Sequence, residues 1–319
     1  MNHWQRRTLH SYSLYPLSLL YRGVVGLRAA LYRRGLLKSA ALSVPVVVVG
    51  NLTVGGAGKT PLVLALTDLL REAGNKPGII TRGYKGSSST WPRIVNKDTT
   101  AAEVGDEALL LARRSGCPVV AGPDRAADGR LLLREFDCDL ILSDDGFQHF
   151  ALERDLDIVV IDGARRFGNG FCLPAGPLRE PIKGLRRADL RVANGAAQTG
   201  EYWMRLRLDR AVRLDDASVS MPLERFRGRS VHAVAGIGHP DRFFLQLEEK
   251  GIEIIPHPFP DHHAFTASDL RFDDSLPVLM TEKDAVKCEN LVVEDRYWVV
   301  PAAVELQPEL KSILISKLV

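Results

Sequence analysis

The stretch VVVVGNLTVGGAGKTPLVLAL, residues 46–66, constrains the fold of this 319-residue chain more than any other feature. A run of valines leads into a glycine-rich turn that ends Gly58-Lys59-Thr60, and an amphipathic run follows. Glycines allow backbone N–H groups to converge on an anion, and the positive end of a following helix adds to the attraction. The stretch therefore predicts a strand, a phosphate-binding loop and a helix.

The loop departs in one place from the usual pattern G-x-x-x-x-G-K-[ST], because Thr53 stands where that pattern has its first glycine. We still predict nucleotide binding, since a strand precedes the loop and a helix follows it. The alternative is a glycine-rich turn without a ligand. Lys59 is expected to reach the β- and γ-phosphates, and Thr60 to bind Mg²⁺. The predicted nucleotide-binding residues are Thr53, Val54, Gly55, Gly56, Ala57, Gly58, Lys59 and Thr60.

The composition is that of a soluble globular protein, with 45% hydrophobic and 25% charged residues. Its four cysteines are scattered without a C-x-x-C pair, which disfavours a disulfide framework or a structural zinc site and favours a reducing cytosol. The net charge is only +3, and no nucleic-acid partner is expected.

The positive charge is concentrated at the N-terminus, where no Asp or Glu precedes Asp68. Basic residues alternate there with aromatic and aliphatic ones, so we predict that residues 1–38 form a basic amphipathic helix that contacts an anionic membrane surface. The alternative is a helix packed on the core with surface arginines. Arg22 and Arg28 interrupt the segment, which is therefore expected neither to span the membrane nor to act as a secretory signal.

Apolar runs rich in β-branched residues alternate with helical patterns along most of the chain. Strands are predicted at 44–49, 78–81, 118–121, 140–143, 156–161, 231–235, 252–255, 277–280 and 297–300, and helices at 61–73, 107–115, 125–135 and 241–250. Strands without polar alternation, separated by helices, indicate a parallel sheet covered on both faces. Around 202–214 apolar residues alternate with arginines, as in a half-exposed antiparallel strand. We therefore predict two α/β units with a ribbon between them.

Acidic residues at strand ends are candidate ligands for Mg²⁺ beside the phosphates. Asp144 and Asp145 follow an apolar run and precede the polar cluster Gly146-Phe147-Gln148-His149. Ligands bind at the carboxyl edge of such sheets, so we favour this pair. Asp162 also ends an apolar run, but it is expected to be a turn residue before Gly163.

Three further motifs could contribute to a site. Asp106 and Glu107 begin a predicted helix and could serve as a base or a metal ligand, although Asp106 could equally be a helix cap. Arg179, in a proline-rich loop, could neutralise a transferring phosphoryl group or form a surface ion pair. One of the adjacent His262 and His263 could assist a base, and the alternative is a capped turn with solvated histidines. The segment 281–284 is similar to a guanine-reading motif, but its lysine is one place late, and we predict no guanine specificity.

Together these motifs resemble the tetraacyldisaccharide 4′-kinase family. The matching stretches lie between residues 50 and 287 in the order GNLTVGGAGKT, TRGYKG, VGDEALLLARR, SDDGFQH, LPAGPLREP, FPDHHAFT and MTEKDAVK. Seven ordered motifs are far more specific than the loop alone. The threonine at position 53 is the family's own form of that loop.

The resemblance implies an α/β fold: a P-loop NTPase-like α/β/α sandwich with a second, smaller α/β domain joined by a two-stranded β-ribbon. We expect a membrane-contact segment at 1–38, the P-loop core at 39–200, the ribbon at 201–226 and the second domain at 227–319. The implied reaction is transfer of the γ-phosphoryl group of ATP to the 4′-hydroxyl of a tetraacylated glucosamine disaccharide 1-phosphate, a lipid A precursor. It would take place on the cytoplasmic side of the bacterial inner membrane, with the protein bound peripherally.

The resemblance also implies roles for individual residues. Asp106 would be the base, assisted by His262 in preference to His263. Mg²⁺ would be held by Glu107, Asp144 and Asp145 in addition to Thr60. Arg179 would bind the phosphates, while Arg82 and Lys85 would lie near the substrate.

The rival interpretation is a P-loop ATPase or GTPase that acts as a regulatory switch at the membrane. Such a protein would hydrolyse nucleotide without an acceptor. Val54 disfavours one group of switches, the ATPases of the partition and nitrogenase-iron type, because those carry a lysine at this position.

Overall fold

The computed structural model describes residues 2–289, 291 and 294–318. Its helices are α1 (Leu9–Ser13), α2 (Tyr15–Arg33), α3 (Lys59–Glu72), α4 (Ala101–Val104), α5 (Asp106–Ser115), α6 (Arg125–Glu135), α7 (Pro240–Glu249), α8 (Glu282–Cys288) and α9 (Pro308–Leu318). Its strands are β1 (Val46–Gly50), β2 (Pro77–Thr81), β3 (Arg93–Val95), β4 (Val119–Ala121), β5 (Leu140–Asp144), β6 (Leu156–Asp162), β7 (Leu190–Asn194), β8 (Tyr202–Leu208), β9 (Arg210–Arg213), β10 (Ser220–Pro222), β11 (Ser230–Ala235), β12 (Glu253–Pro258), β13 (Val278–Thr281), β14 (Tyr297–Val300) and β15 (Ala302–Leu306).

The first unit is built on a sheet with the strand order β15-β8-β7-β6-β1-β5-β2-β4-β3. Neighbouring strands from β8 to β4 run parallel, while β15 and β3 are antiparallel at the two edges. The central strands β1, β5 and β6 are buried at every position. Burial on both faces explains why these strands are almost uniformly apolar in sequence, without the alternation of a half-exposed strand.

Two apolar cores lie on opposite faces of this sheet. One contains α3, α5 and α9, with Leu62, Leu66, Leu109 and Leu310 among its buried residues. The other contains α6 and the segment that follows α2, together with Phe147. Helices on both faces of a mostly parallel sheet form an α/β/α sandwich, so the predicted fold class is confirmed.

The second unit is a smaller sheet with the order β10-β9-β14-β13-β11-β12. Strands β14, β13, β11 and β12 run parallel, and β9 and β10 are antiparallel to their neighbours. Helix α7 packs against β11 and β12, and α8 packs against β13 and β14. Helix α8 also packs against α5 of the first unit, which brings the two units into direct contact.

Two chain segments cross from one sheet to the other as an antiparallel ribbon. Strand β8 in the first sheet continues into β9 in the second after Asp209, and β14 in the second continues into β15 in the first after Pro301. Strand β8 pairs with β15, and β9 pairs with β14. The second unit is therefore attached through both of its ends, and β15 and α9 lie on the first unit. The boundaries at 201–226 and 227–319 stay a prediction.

The predicted elements agree with the structure to within a few residues at most positions, and the differences are informative. Strand β7 and the short strand β3 lacked a clear apolar run and were missed. Strand β8 was expected to be antiparallel and pairs in this way with β15, but it also pairs in parallel with β7. None of the described helices is both long enough and apolar enough to cross a membrane.

Replacement of Leu66 by alanine is expected to lower the melting temperature of the protein clearly. Leu66 is fully buried between α3 and the sheet, and such a change costs about 2–5 kcal/mol through lost burial and the cavity that remains. Leu27→Ala is the matched control, because Leu27 is 62% exposed. Thermal unfolding followed by circular dichroism would test this, and equal melting temperatures for the two variants would contradict the described core.

Candidate active site

A cleft of about 850 Å³ lies between the two units, at the carboxyl ends of the central strands of the first sheet. Ligands bind at this edge in open α/β sheets. The first unit contributes the loop before α3, the start of α5 and one face of α2. The second unit contributes the turn before α7, the loop around His262 and the start of α8.

The phosphate-binding loop connects β1 to α3 as the sequence predicts. Gly55 and Gly58 have φ angles of +93° and +99°, which L side chains rarely adopt. A Cβ atom on Gly58 would also lie 2.6 Å from Nδ2 of Asn194, so only glycine fits there. Thr53, at the entry of the loop, forms an antiparallel β-bridge with Leu178.

Lys59 and Arg179 converge on the carboxylate of Asp145. The Nζ atom of Lys59 lies 3.5 Å from Oδ1 of Asp145, and Nη1 of Arg179 donates a hydrogen bond of 2.6 Å to the same oxygen. Burial alone would raise the pKa of Asp145, but these two cations outweigh it and hold that pKa well below its usual range. The ionised carboxylate therefore keeps both cations beside the phosphate-binding loop.

Asp144 is fully buried at the end of β5. Its Oδ2 accepts a 3.4 Å hydrogen bond from the hydroxyl of Thr60, while among the described residues its buried Oδ1 has no hydrogen-bond partner. Burial and the negative charge of Glu107 raise the pKa of the Asp144 carboxyl to about 7. A cation beside this carboxylate would offset both effects, so Thr60 and Asp144 together are suited to bind a metal ion.

The other predicted metal ligands have protein partners. Oε1 of Glu107 lies 3.3 Å from Nζ of Lys283, and Asp145 binds two cations as described above. Within the described residues, no three His, Cys, Asp or Glu side chains are grouped closely enough to hold a metal ion alone. Mg²⁺ at a nucleotide takes most of its ligands from phosphate oxygens and water, so the pair Thr60 and Asp144 fits such an ion.

Asp106 is the first residue of α5, and its carboxylate faces the second unit. The Nδ1 atom of His262 lies 2.8 Å from Oδ2 and 2.9 Å from Oδ1 of Asp106. Oδ1 also accepts the backbone N–H of Glu107 at 2.9 Å, but Gly105 is the N-cap of α5 and the Asp106 side chain does not cap the helix. The preceding Gly105 has a φ of +86°, and this turn directs the start of α5 towards the cleft.

The structure distinguishes the two adjacent histidines. His262 has a φ of +61°, which turns its ring towards Asp106, where it also meets the edge of Tyr84. His263 instead places Nε2 3.2 Å from Asp269 and stacks on Phe259. His262 is therefore the histidine that contacts the predicted base.

Asp106 remains ionised in this setting. Burial would raise its pKa, but the hydrogen bond from His262 and the positive charges of Lys283 and Lys287 outweigh burial and lower it. The Nζ atoms of the two lysines lie 4.0 Å and 3.9 Å from Oδ2 of Asp106. An ionised carboxylate can accept a proton, so the arrangement suits a general base.

Lys283 was not identified as a site residue from the sequence. It belongs to the segment 281–284, which is similar to a guanine-reading motif. In the structure, the threonine and the aspartate of this segment stabilise the start of α8 and the neighbouring turn. The Thr281 hydroxyl caps α8, and the Asp284 carboxylate accepts hydrogen bonds from that hydroxyl and from the backbone N–H of Gly236. Asp284 is therefore a structural residue, and Lys283 projects into the cleft.

Asn194 and Arg242 were also missed, and they connect the phosphate-binding loop to the second unit. Nδ2 of Asn194 donates to the carbonyl of Ala57 at 3.1 Å, and its Oδ1 accepts a 2.8 Å bond from Nη2 of Arg242. Asn194 ends β7, a strand without a clear sequence signal. The position of Asn194 at the end of a strand could therefore not be predicted from the sequence.

A mostly parallel sheet with a glycine-rich loop that ends in Lys59 and Thr60, between β1 and α3, defines a nucleotide-binding protein of the P-loop class. The family model described as tetraacyldisaccharide-1-P 4′-kinase, LpxK, matches residues 10–319. The chain belongs to this family.

Individual relatives agree with the family match over nearly their full lengths. The tetraacyldisaccharide 4′-kinase of Nitrosococcus oceani is 50% identical over 318 residues, which cover 100% of this chain and 94% of the relative. That of Alkalilimnicola ehrlichii is 52% identical over 308 residues, covering 96% and 92%. A crystal structure of LpxK from Aquifex aeolicus in complex with ATP superposes with a TM-score of 0.81 at 33% identity, covering 97% of this chain and 99% of that one.

Replacement of Gly105 by alanine is expected to lower kinase activity by about tenfold or more, because small displacements of a reacting group are costly. A Cβ atom at this position would lie 2.2 Å from the carbonyl oxygen of Tyr84, so the start of α5 and the Asp106 carboxylate must move. Steady-state kinetics would measure the loss.

Gly74→Ala is the matched control for this variant. Gly74 also has a positive φ, +93°, but nothing lies within 4 Å of its would-be Cβ. The Gly74→Ala variant therefore bears the cost of a side chain at positive φ, roughly 1–2 kcal/mol, but no neighbouring atom has to move. Its activity should stay near that of the wild type. Equal activities for the two variants would show that the close approach to Tyr84 does not position Asp106.

Proposed function

We propose that this protein transfers the γ-phosphoryl group of ATP to the 4′-hydroxyl of a tetraacylated glucosamine disaccharide 1-phosphate, a lipid A precursor. The product is the 1,4′-bisphosphate. Membership of the kinase family supports the reaction, and one observation carries its mechanism. His262, whose Nδ1 contacts the Asp106 carboxylate, lines the same cleft as the Lys59–Thr60 end of the phosphate-binding loop.

The proposed reaction follows from the charges in this cleft. Asp106 removes the proton of the 4′-hydroxyl as its oxygen bonds to the γ-phosphorus, and the bond between that phosphorus and the bridging oxygen of ADP breaks. Lys59 and Arg179 stabilise the negative charge on the phosphoryl oxygens. Asp145 holds these two cations in position. His262 orients the Asp106 carboxylate by donating its Nδ1–H.

Thr60 and Asp144 are the residues that we assign first to Mg²⁺. Glu107 and Asp145 stay predicted further ligands, although here they pair with Lys283 and with Lys59 and Arg179, respectively. The unpartnered buried oxygen of Asp144 supports the assignment. When bound, Mg²⁺ neutralises charge on the phosphate oxygens.

We further propose that the protein binds peripherally to the cytoplasmic side of the bacterial inner membrane through the outer face of α2. A tetraacylated substrate keeps its chains in the bilayer, so the kinase must come to it. The outer face of α2 exposes four large apolar residues at helical spacing: Leu17, Leu20, Val24 and Leu27. The inner face contributes Tyr21, Val25 and Arg28 to the wall of the cleft.

The alternative of a regulatory switch is not favoured. A switch needs no acceptor and no base, whereas here an ionised carboxylate, Asp106, contacts His262 in the wall of the cleft that the phosphate-binding loop also lines. Asp284, which would read guanine in a GTPase, is engaged with Thr281 and Gly236.

The decisive experiment measures transfer of label from γ-labelled ATP to purified tetraacyldisaccharide 1-phosphate in mixed micelles, with and without Mg²⁺. We expect a labelled bisphosphorylated lipid that forms only with the metal. Free labelled phosphate with no labelled lipid would overturn the proposal in favour of a switch.

Asp106→Asn should reduce transfer by about 10²–10⁴-fold, since the amide cannot accept the proton. ATP affinity should be unchanged, because Asp106 contacts the second unit and lies outside the phosphate-binding loop. Asp209→Asn, an exposed carboxylate near the ribbon, is the control and should leave transfer unchanged. Transfer by Asp106→Asn at the wild-type rate would remove this residue from the mechanism.

The double variant Leu20→Glu, Leu27→Glu should bind vesicles of phosphatidylglycerol and phosphatidylethanolamine at least about tenfold more weakly, because each leucine contributes roughly 1.5–3 kcal/mol when buried. Sedimentation with vesicles would measure the change. Leu245→Glu is the matched control, since Leu245 is 57% exposed on α7 and lies away from α2. Equal loss of binding by both proteins would argue against a surface specific to α2.

A further inference from the structure

We propose that Tyr21 on α2 is a positioning residue for Arg179, and that it acts on the main chain of Arg179. The hydroxyl of Tyr21 donates a 2.9 Å hydrogen bond to the carbonyl oxygen of Arg179. This inference rests on the proposed function, in which Arg179 stabilises charge on the phosphoryl oxygens. It gives the inner face of α2 a role in the reaction that is separate from contact with a membrane.

The inner face of α2 is docked on the loop 172–179. Residues of this face follow one another at spacings of three and four, as on one side of a helix: Ser18, Tyr21, Val25 and Arg28. Ser18 is 2% exposed, and its hydroxyl donates a 2.8 Å hydrogen bond to the carbonyl oxygen of Cys172. Tyr21, one turn later, lines the cleft. The two hydroxyls thus reach the first and the last residue of the loop.

The same loop is also hydrogen-bonded to the entry of the phosphate-binding loop. The backbone N–H of Arg179 donates to the carbonyl oxygen of Leu52 at 2.7 Å. The backbone N–H of Val54 donates to the carbonyl oxygen of Pro177 at 2.9 Å. The loop 172–179 is therefore joined through its main chain to α2 and to the phosphate-binding loop.

The position of the Arg179 guanidinium group depends on this main chain. Its Nη1 atom donates a 2.6 Å hydrogen bond to Oδ1 of Asp145, the oxygen that Nζ of Lys59 approaches at 3.5 Å. A shift of the Arg179 backbone would move the guanidinium group out of this alignment with Lys59. Small displacements of a group that stabilises developing charge are costly in rate.

The chain after Arg179 is fixed independently of Tyr21. Glu180 is 4% exposed, and its Oε1 accepts hydrogen bonds from Gln148 at 2.9 Å and from Arg187 at 3.0 Å. Loss of the Tyr21 hydroxyl therefore removes one hydrogen bond without releasing the whole loop. The expected result is a small displacement of Arg179 in a folded protein.

Kinetics on the full chain test the role of the hydroxyl. Tyr21→Phe should lower kcat by about three- to tenfold, the effect of one hydrogen bond, while KM for the lipid acceptor changes less than about twofold because the ring stays in the cleft wall. Tyr12→Phe is the matched control, since Tyr12 on α1 is 52% exposed, and it should behave as the wild type. Wild-type kcat in Tyr21→Phe would overturn the proposal.

A double-mutant cycle decides whether Tyr21 acts through Arg179. In the Arg179→Ala background, Tyr21→Phe should lower kcat by less than about twofold, because the group that the hydroxyl positions is gone. A merely structural role would lower kcat by the same factor in both backgrounds, and that result would overturn the proposal. The melting temperatures of the four proteins show whether each is folded.

Nucleotide binding provides a readout that needs no lipid. The imido analogue of ATP keeps a γ-phosphate and ADP lacks one, so the ratio of their affinities reports on the cations that meet this group. By titration calorimetry, Tyr21→Phe should bind the analogue about threefold or more weakly and bind ADP within about twofold of the wild type. An unchanged ratio of the two affinities would overturn the proposal.

These results can be distinguished from failure of the proposed function. If the wild type transfers no label to the lipid, the proposed function fails, yet the ratio of affinities still decides whether Tyr21 positions Arg179. If Arg179→Ala is too slow for kinetics, the same ratio is measured in the four proteins of the cycle and replaces kcat.

Discussion

The antiparallel pairing of β8 with β15 and of β9 with β14 is the constraint on which the site depends. The two strands cross together from one sheet to the other, so the second unit is attached by a paired ribbon whose backbone hydrogen bonds restrict its orientation. Contact between α5 and α8 adds a second attachment. Asp106 comes from one unit and His262 and Lys283 from the other, so the arrangement around the Asp106 carboxylate depends on these two attachments.

Charge compensation within the cleft is the second general feature. Buried ions are costly unless they are paired, and here carboxylates and cations alternate. Asp145 pairs with Lys59 and Arg179, while Lys283 pairs with Glu107 and Asp261. In the proposed reaction, Lys59 and Arg179 would stabilise negative charge during phosphoryl transfer. The contacts that make their burial tolerable would then also pre-organise them for that task.

Local patterns in the sequence were sufficient to predict most elements and the phosphate-binding loop. Apolar runs identified β1, β5 and β6, and the glycines before Lys59 identified the loop. These features depend on near neighbours along the chain. The return of β15 to the first sheet could not be predicted, because the pairing partner of an edge strand is set by packing between distant segments.

The site residues divide in the same way, into those that local sequence patterns predict and those that depend on contacts between distant segments. Asp106 was a candidate because an acidic residue at a helix start is visible in the sequence, whereas a choice between His262 and His263 needs the backbone angle at His262. Lys283 was overlooked because its contacts are with residues far along the chain, among them Glu107. Asn194 was overlooked because the strand that ends with it lacks a continuous apolar run.

One side of helix α2 lines the cleft and the opposite side is exposed. This arrangement affects how fast the protein can find its acceptor. Its inner side borders the cleft through Tyr21, Val25 and Arg28, and its outer side is apolar. With the outer side resting on a bilayer, the mouth of the cleft would open at the lipid headgroups. The encounter would then take place in two dimensions, and turnover would follow the mole fraction of acceptor among the lipids and be insensitive to its bulk concentration.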